Sequence, residues 1–409
     1  MTNIRISNQR LLNNLFDLAK IGATADGGVT RLAFSELDIE GRIWFAKLVQ
    51  ASGFDYAIDG AGNQSAILRS KDPEAKTLIV GSHLDTVFNG GRYDGALGVL
   101  AAFEAAQTLQ ESNFELPFHL EIINFTDEEG SILGEFGSHA LTGALTETQL
   151  ENPRGGRDNL IKGLQRLGIS ETTALGAKRD PADILGFLEL HIEQGMRLKE
   201  QNLDIGVVTS IVGIRSEWII FRGKANHAGT TPMDRRQDAL WGAADFMLRA
   251  RDLTKEKYRP AVLTCTQISS GPAAFNIVPE EARFALEFRN GTEVLLDQMA
   301  ADLSELGGQI AREYDLEFVW DDVSDCVAAP AAERMIVALE TAANTLGLTH
   351  KRMMSFAGHD TQMMSNFVPS AMFFVPSEDG ISHNPKEYTK NQDVINGANV
   401  LLHAILSLS

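Results

Sequence analysis

The chain has 409 residues, more than one hydrophobic core usually spans, so two domains are expected. With 44% hydrophobic and 22% charged residues it has the balance of a soluble globular protein, and its formal charge of -19 argues against nucleic acid and anionic membrane surfaces as partners. Two cysteines, Cys265 and Cys326, exclude a disulfide framework and fit a reducing compartment.

The opening stretch MTNIRISNQRLLNNLFDLAK lacks the apolar run of a signal peptide. Its Leu11, Leu12, Leu15, Phe16 and Leu18 predict one face of an amphipathic helix. No run of about 18 apolar residues follows, so no membrane span is expected and the cytoplasm is the expected location. FSELDIEGRIWFAKLVQASG reads as a helix with Ser35 as N-cap and Gly53 as its stop. TLIVGSH is a strand, GALGVLAAFEAAQTLQ a helix apolar almost all round, and FHLEIINF and GFLELHI are further strands. Strands alternating with helices imply an α/β layered domain with a mostly parallel sheet.

From about residue 213 the pattern changes. The strand IRSEWIIFRGKA, the helix RRQDALWGAADFMLRARDL, the strands AVLTCTQISS and EARFALEFRN, the helix VLLDQMAADLSELGGQIAREYD and the strand LEFVWDDV follow in turn. That order, β-α-β-β-α-β, is the split βαβ, ferredoxin-like pattern of an α+β sandwich. After about residue 327 the alternation resumes with the helix AAERMIVALETAANTLG, the strand SAMFFVP and a final helix from about Asn391. The simplest organisation is one α/β domain, residues 1–212 and 328–409, interrupted by an inserted α+β domain, residues 213–327.

Four polar clusters sit at strand ends. In GSHLDTVFNGGRYDG, His83 and Asp85 stand two apart on an extended chain and so share a side, and Gly90-Gly91 lets the backbone bring Asp94 back. In NFTDEEGS, Asp127, Glu128 and Glu129 follow a strand directly, and three carboxylates there repel unless a cation or proton intervenes. His191 ends the strand of GFLELHIEQG, with Gln194 just beyond, and His383 follows AMFFVP in EDGISHNP. Each alone reads as an ordinary turn or packed residue; four at strand ends of one α/β layout point to a metal site, because carboxylate oxygen and imidazole nitrogen together suit a borderline cation.

GSHLDTVFNGGRYDG, TDEEG, ELHIEQG, NHAGTTPM, NIVP, AGHD and GISHNP resemble, in order, the signature segments of the hydantoinase/carbamoylase branch of the M20 metallopeptidase-like family, over about residues 75 to 390. That branch contains N-carbamoyl-L-amino acid hydrolases, β-ureidopropionases and allantoate amidohydrolases. The resemblance implies a catalytic domain holding two divalent metal ions, zinc foremost, with manganese, cobalt or nickel as alternatives. Asp94 would bridge the ions, His83 and His191 would complete one, and Glu129 and His383 the other. Glu128 would be the general base and Asp85 would orient His83. A histidine at position 191 is similar to the ureido-hydrolysing branch, where the peptidases usually carry a carboxylate. On the inserted domain, Arg289 would clamp a substrate carboxylate, while His227 and Asn276 would act on the carbonyl oxygen; Gln194 and the backbone of Gly358 would also meet substrate.

The resemblance further implies a small ureido acid as substrate and a homodimer formed through the inserted domain, acting as a lid. Three departures bear on the substrate pocket: Ser131-Ile132-Leu133-Gly134 where an aromatic often follows EEG, Phe356 where a small residue is common, and Glu287 where aspartate is frequent. The expected reaction is hydrolysis of an N-carbamoyl-L-amino acid, with allantoate as the close alternative substrate. β-Ureidopropionase or ureidoglycolate hydrolysis, an aminopeptidase or deacylase on the same scaffold, and a non-catalytic binding protein rank below these.

Overall fold

The computed structural model describes residues 4–409, apart from the side chains of residues 324 and 325. They separate into two compact units, residues 4–209 with 331–409, and residues 210–330.

The larger unit is built on a mixed sheet. At its centre His119–Phe125, Thr77–His83, Ile184–Ile192 and Ser370–Val375 lie side by side and parallel. The ends of neighbouring strands are in register, the final residues His83 and Phe125 facing each other and the penultimate Phe374 facing His191. Such strands are covered on both faces, which is why they read as continuous apolar runs. Antiparallel strands flank this core: the pair Asp55–Ile58 and Gln64–Leu68 on one side, and Ile205–Ile211 on the other.

The helix Ala96–Glu111 presses on the parallel strands and is buried nearly all round. Its Phe103 meets Phe45 and Phe54 edge-on, with ring centroids 6.1 and 5.5 Å apart. The helix Glu36–Ser52 starts as expected, with the Ser35 side chain accepting a hydrogen bond from the Asp38 N–H, and stops at Gly53 in the left-handed region. The first helix, Asn8–Ala19, buries Leu11, Leu15 and Leu18, but Phe16 points to solvent at 58% exposure. Phe16 lies one residue, about 100°, round from Leu15.

The smaller unit follows β-α-β-β-α-β. Gly213–Arg222, Val262–Gly271, Glu281–Asn290 and Glu317–Cys326 form a four-stranded antiparallel sheet, and Ala239–Lys257 and Glu293–Tyr314 are its helices. Glu281–Asn290 alternates strictly, turning Ala282, Phe284, Leu286 and Phe288 into the helix-covered core. The chain is thus an α/β protein with a parallel-centred sheet and an inserted α+β unit. No helix among the described residues is long and apolar enough to cross a membrane.

Candidate metal centre

The four clusters converge at the carboxyl ends of the four parallel strands. His83 is the last residue of Thr77–His83, Glu128 and Glu129 lie just past His119–Phe125, His191 is the penultimate residue of Ile184–Ile192, and His383 follows Ser370–Val375. His83, Asp94 and His191 bring ligand atoms within 4.8 Å of one another, as do Asp94, Glu129 and His383, and His83, Glu128 and Glu129.

The rings of His83 and His191 each have their tautomer set by a backbone carbonyl. The His83 Nδ1 lies 3.0 Å from the Asp85 carbonyl, and the His191 Nδ1 lies 2.9 Å from that of Ile192. A carbonyl can only accept, so in the neutral rings Nδ1 carries the proton and Nε2 offers a lone pair. The His83 Nε2 is buried without a hydrogen-bond partner, 3.4 Å from the Glu128 Oε2 and 3.7 Å from the Asp94 Oδ1. The His191 Nε2 lies 3.0 Å from the same Asp94 oxygen. Gly95 makes the close approach possible: a Cβ there would stand 2.4 Å from the His83 ring, and its φ of +61° suits glycine.

Asp94 is held from several directions. Its Oδ2 accepts from the Gln194 Nε2 at 2.8 Å and the Ser382 Oγ at 2.9 Å, and its N–H donates to the Glu387 Oε1 at 3.1 Å. The His383 Nε2 stands 3.5 Å from the Asp94 Oδ2 and 3.3 Å from the Glu129 Oε2; its side chain remains half exposed. Asp127, the first carboxylate of the acidic turn, faces away and clamps the loop by accepting from the N–H groups of Ile132 at 3.1 Å and Leu133 at 2.8 Å.

The electrostatics follow from burial and crowded charge. Burial raises Glu128 well above the usual carboxylate range, and Glu129, Asp360, Glu135 and Asp94 add repulsion. Glu129 is raised likewise, by burial and then by Asp94 and Asp85. Burial lowers His83 to about 4, against the pull of Asp94. Burial also acts downward on His191, yet Asp94 and Glu189 outweigh it and lift that ring to about 9. Crowded carboxylates and lone-pair imidazoles on one centre are the donor set of a borderline divalent cation.

Asp85 touches His83 through its backbone. Its carboxylate oxygen stands 3.8 Å from Nδ1, while Oδ2 accepts from the Glu129 N–H at 3.3 Å, joining two of the loops. Three contributors escaped the sequence reading. Glu387 accepts from the Tyr93 and Asp94 N–H groups, Ser382 bridges Asp94 and Glu387, and Glu189 accepts from Ser82 and Thr361 behind His191. A glutamate inside the apolar strand ILGFLELHI was the available signal for Glu189. The His359 ring packs edge-on to His191 at 4.4 Å and its Nε2 lies 3.0 Å from the Ser355 Oγ. Gly358 adjoins the Glu135 carboxylate, where a Cβ would come to 3.1 Å from Oε1.

His227, Asn276 and Arg289 belong to the smaller unit. His227 bridges Ile277 in a short antiparallel pair, and the Ala228 N–H donates to the Asn276 carbonyl at 2.9 Å, so those two segments are neighbours. The His227 Nδ1 accepts from the N–H groups of Gly229 at 3.1 Å and Thr230 at 3.2 Å, which leaves Nε2 as the protonated, donating nitrogen. The Arg289 Nε donates to the Glu287 Oε1 at 2.8 Å.

The sequence model of peptidase family M20/M25/M40 matches residues 79–407. The chain belongs to that M20 family. Within it the hydantoinase/carbamoylase branch is the near one. An N-carbamoyl-L-amino acid amidohydrolase of Geobacillus stearothermophilus is 33% identical over 408 residues, 99% of each chain. An allantoate amidohydrolase of Bacillus subtilis is 34% identical over 399 residues, 96% of this chain and 95% of that one. The crystal structure of a hydantoinase/carbamoylase family amidase from Burkholderia multivorans superposes with a TM-score of 0.88 at 33% identity, covering 100% of this chain and 99% of that one. This M20 protein is accordingly a hydrolase of C–N bonds in linear amides, and its clustered histidines and carboxylates fit the divalent metal ions that M20 enzymes use.

Proposed function

We propose that the protein hydrolyses the ureido C–N bond of an N-carbamoyl-L-amino acid, releasing the amino acid, ammonia and carbon dioxide. The observation that carries this reading is Glu128, an enclosed carboxylate 3.4 Å from the partnerless His83 Nε2 and beside two ligand groups that share Asp94. His83, Asp94 and His191 would hold one divalent ion, and Asp94, Glu129 and His383 a second, zinc foremost, with manganese, cobalt or nickel as alternatives. Ions bound there supply Lewis-acid polarisation of the carbonyl and a water that is nucleophilic at neutral pH, which a resonance-stabilised ureido carbon needs.

The chain's own residues do the rest. Glu128 takes the proton of the attacking water and hands it to the departing nitrogen. Burial and then repulsion from Glu129 disfavour its ionised form, which a cation held there would favour. The carbonyls of Asp85 and Ile192 keep the Nε2 lone pairs of His83 and His191 turned to the centre. Gln194 and the backbone of Gly358 contact the substrate. The donating Nε2–H of His227, with the Asn276 amide, stabilises charge developing on the carbonyl oxygen. Arg289 holds the substrate carboxylate, for which its planar fork is suited.

Allantoate is the second reading, favoured by the allantoate amidohydrolase of Bacillus subtilis at 34% identity; it too offers a carboxylate and a ureido group. Ammonia release from N-carbamoyl amino acids, N-carbamoyl-β-alanine, allantoate and ureidoglycolate tests both. Highest kcat/KM on an N-carbamoyl-L-amino acid is expected; preference for allantoate selects the second reading, and no release from any member overturns the reaction.

Two copies are assigned to pair through residues 213–327. Val262–Gly271 supports this as a largely exposed edge strand of its sheet, and so does the fully exposed Phe275. Light scattering at the mass of two chains is expected. Cytoplasmic residence belongs to the same reading, supported by a chain with only two cysteines.

A further inference from the structure

Beside the metal centre, within the larger unit, lies a cavity of about 250 Å³. Gln194 forms part of its wall while donating to the Asp94 Oδ2 at 2.8 Å, so one side chain connects cavity and carboxylate cluster. The remainder of the wall is of two kinds. Met353, Met354, Phe356 and Phe374 supply apolar surface, and Arg197 supplies a cation.

The Arg197 guanidinium lies over the Phe356 ring, 4.7 Å from its centroid. Its Nη1 makes one long hydrogen bond, 3.4 Å, to the Met354 carbonyl. No carboxylate among the described residues forms an ion pair with it. Glu193 also lines the cavity, but each of its oxygens is engaged by a backbone N–H group, that of Arg197 at 2.9 Å and that of Leu198 at 3.0 Å, rather than by the guanidinium. A guanidinium has five N–H donors and presents them in a plane that matches a carboxylate. Stacking on Phe356 holds that plane in place, so little freedom remains to be lost when an anion binds.

We infer that this cavity receives the side chain of the substrate and that Arg197 selects for a side chain ending in a carboxylate. The inference rests on the ureido acid reading above and narrows it to N-carbamoyl derivatives of acidic amino acids. The methylene stem packs against Phe356 and the two methionines, and the terminal carboxylate meets the free edge of Arg197. Phe356, one of the departures from the family pattern, is the platform that fixes the cation.

N-carbamoyl-L-glutamate and N-carbamoyl-L-glutamine differ only in the terminal group and form the decisive pair. With the metal-loaded enzyme, kcat/KM for the glutamate derivative is expected to exceed that for the glutamine derivative by roughly tenfold or more, as for a charge-assisted hydrogen bond. Arg197→Met is expected to collapse that ratio to near one, and Arg197→Lys to keep part of it. A wild-type preference for the glutamine derivative or for N-carbamoyl-L-phenylalanine overturns the inference, as does a ratio that survives Arg197→Met. Calorimetric binding of N-carbamoyl-L-glutamate to metal-loaded wild type and Arg197→Met separates the two readings. If neither derivative is hydrolysed while another member of the ureido acid panel is, the inference falls and the proposed reaction stands. If no member of the panel is hydrolysed the proposed reaction falls, and then binding weakened roughly tenfold by Arg197→Met still supports the cavity while equal binding overturns it.

Discussion

His83 and His191 are each 1% exposed at strand ends of the larger unit, whereas His227 and Asn276 stand exposed on the smaller one. In the larger unit, imidazoles and carboxylates have been taken out of water and packed against one another, a costly arrangement that only a proton, a partner or a cation relieves. In the smaller unit the polar groups cost nothing to keep solvated, and the His227 ring accepts from the N–H groups of its own turn, Gly229 and Thr230. The contrast separates two grounds for a functional reading. Buried groups with no partner, such as the His83 Nε2, argue for a ligand by their energetics. Exposed groups argue only by their chemistry and their place in a motif.

Chelation should break the comparison most severely, since it attacks only the larger unit. Dialysis against a strong chelator is expected to abolish ammonia release, and stoichiometric zinc, manganese or cobalt to restore it. A metal-free preparation at full activity would remove the metal centre from the mechanism. Next in size is Glu128→Gln, expected to lower kcat by about a thousandfold. KM and metal content, read by elemental analysis, should stay close to wild type. Arg289→Ala probes the smaller unit and should act differently, raising KM for carboxylate substrates by roughly ten- to a hundredfold with a lesser change in kcat. If Glu128→Gln altered only KM, or Arg289→Ala only kcat, the division of labour would be reversed.

The smallest effect concerns pH and the metal-free protein. The His191 pKa is raised to about 9, so the stability it contributes is complete below its unfolded value near 6.5 and is lost as pH rises through 9. Glu128 and Glu129 are raised as well, by burial first, and ionising them at high pH works in the same direction. The Tm of the metal-free protein is therefore expected to fall by a few degrees between pH 6.5 and 9.5, measured by calorimetry, while that of the metal-loaded protein changes less. A metal-free Tm that rises over that range would contradict the assigned charges.

Local signals located most elements. Ser35 and Gly53 bracket a helix because a side-chain cap and a left-handed stop are properties of a few adjacent residues. The run from Ala96 to Glu111 announced its burial by being apolar on every side. The pair Asp55–Ile58 and Gln64–Leu68 was missed, since short strands beside a turn carry little periodic signal. Phe16 was placed on the buried face and is exposed, because an apolar pattern cannot say how wide a helix's covered stripe is. Asp85 was expected to orient His83 by its carboxylate and does so by its carbonyl, a choice made by the backbone path after the strand.

From the sequence alone came the α/β class with an inserted α+β segment, the strand-end positions of the four polar clusters, and the choice of histidine and carboxylate as donors. Those follow from periodicity and chemistry, which are local. Tertiary structure alone decided that Asp94 lies between His191 and His383, that Glu387, Ser382 and Gln194 hold it there, and that Asp127 turns away to clamp its own loop. Those contacts join residues up to 293 positions apart, and their geometry is set by the register of parallel strands and the packing of the loops beyond them, which no window of sequence contains.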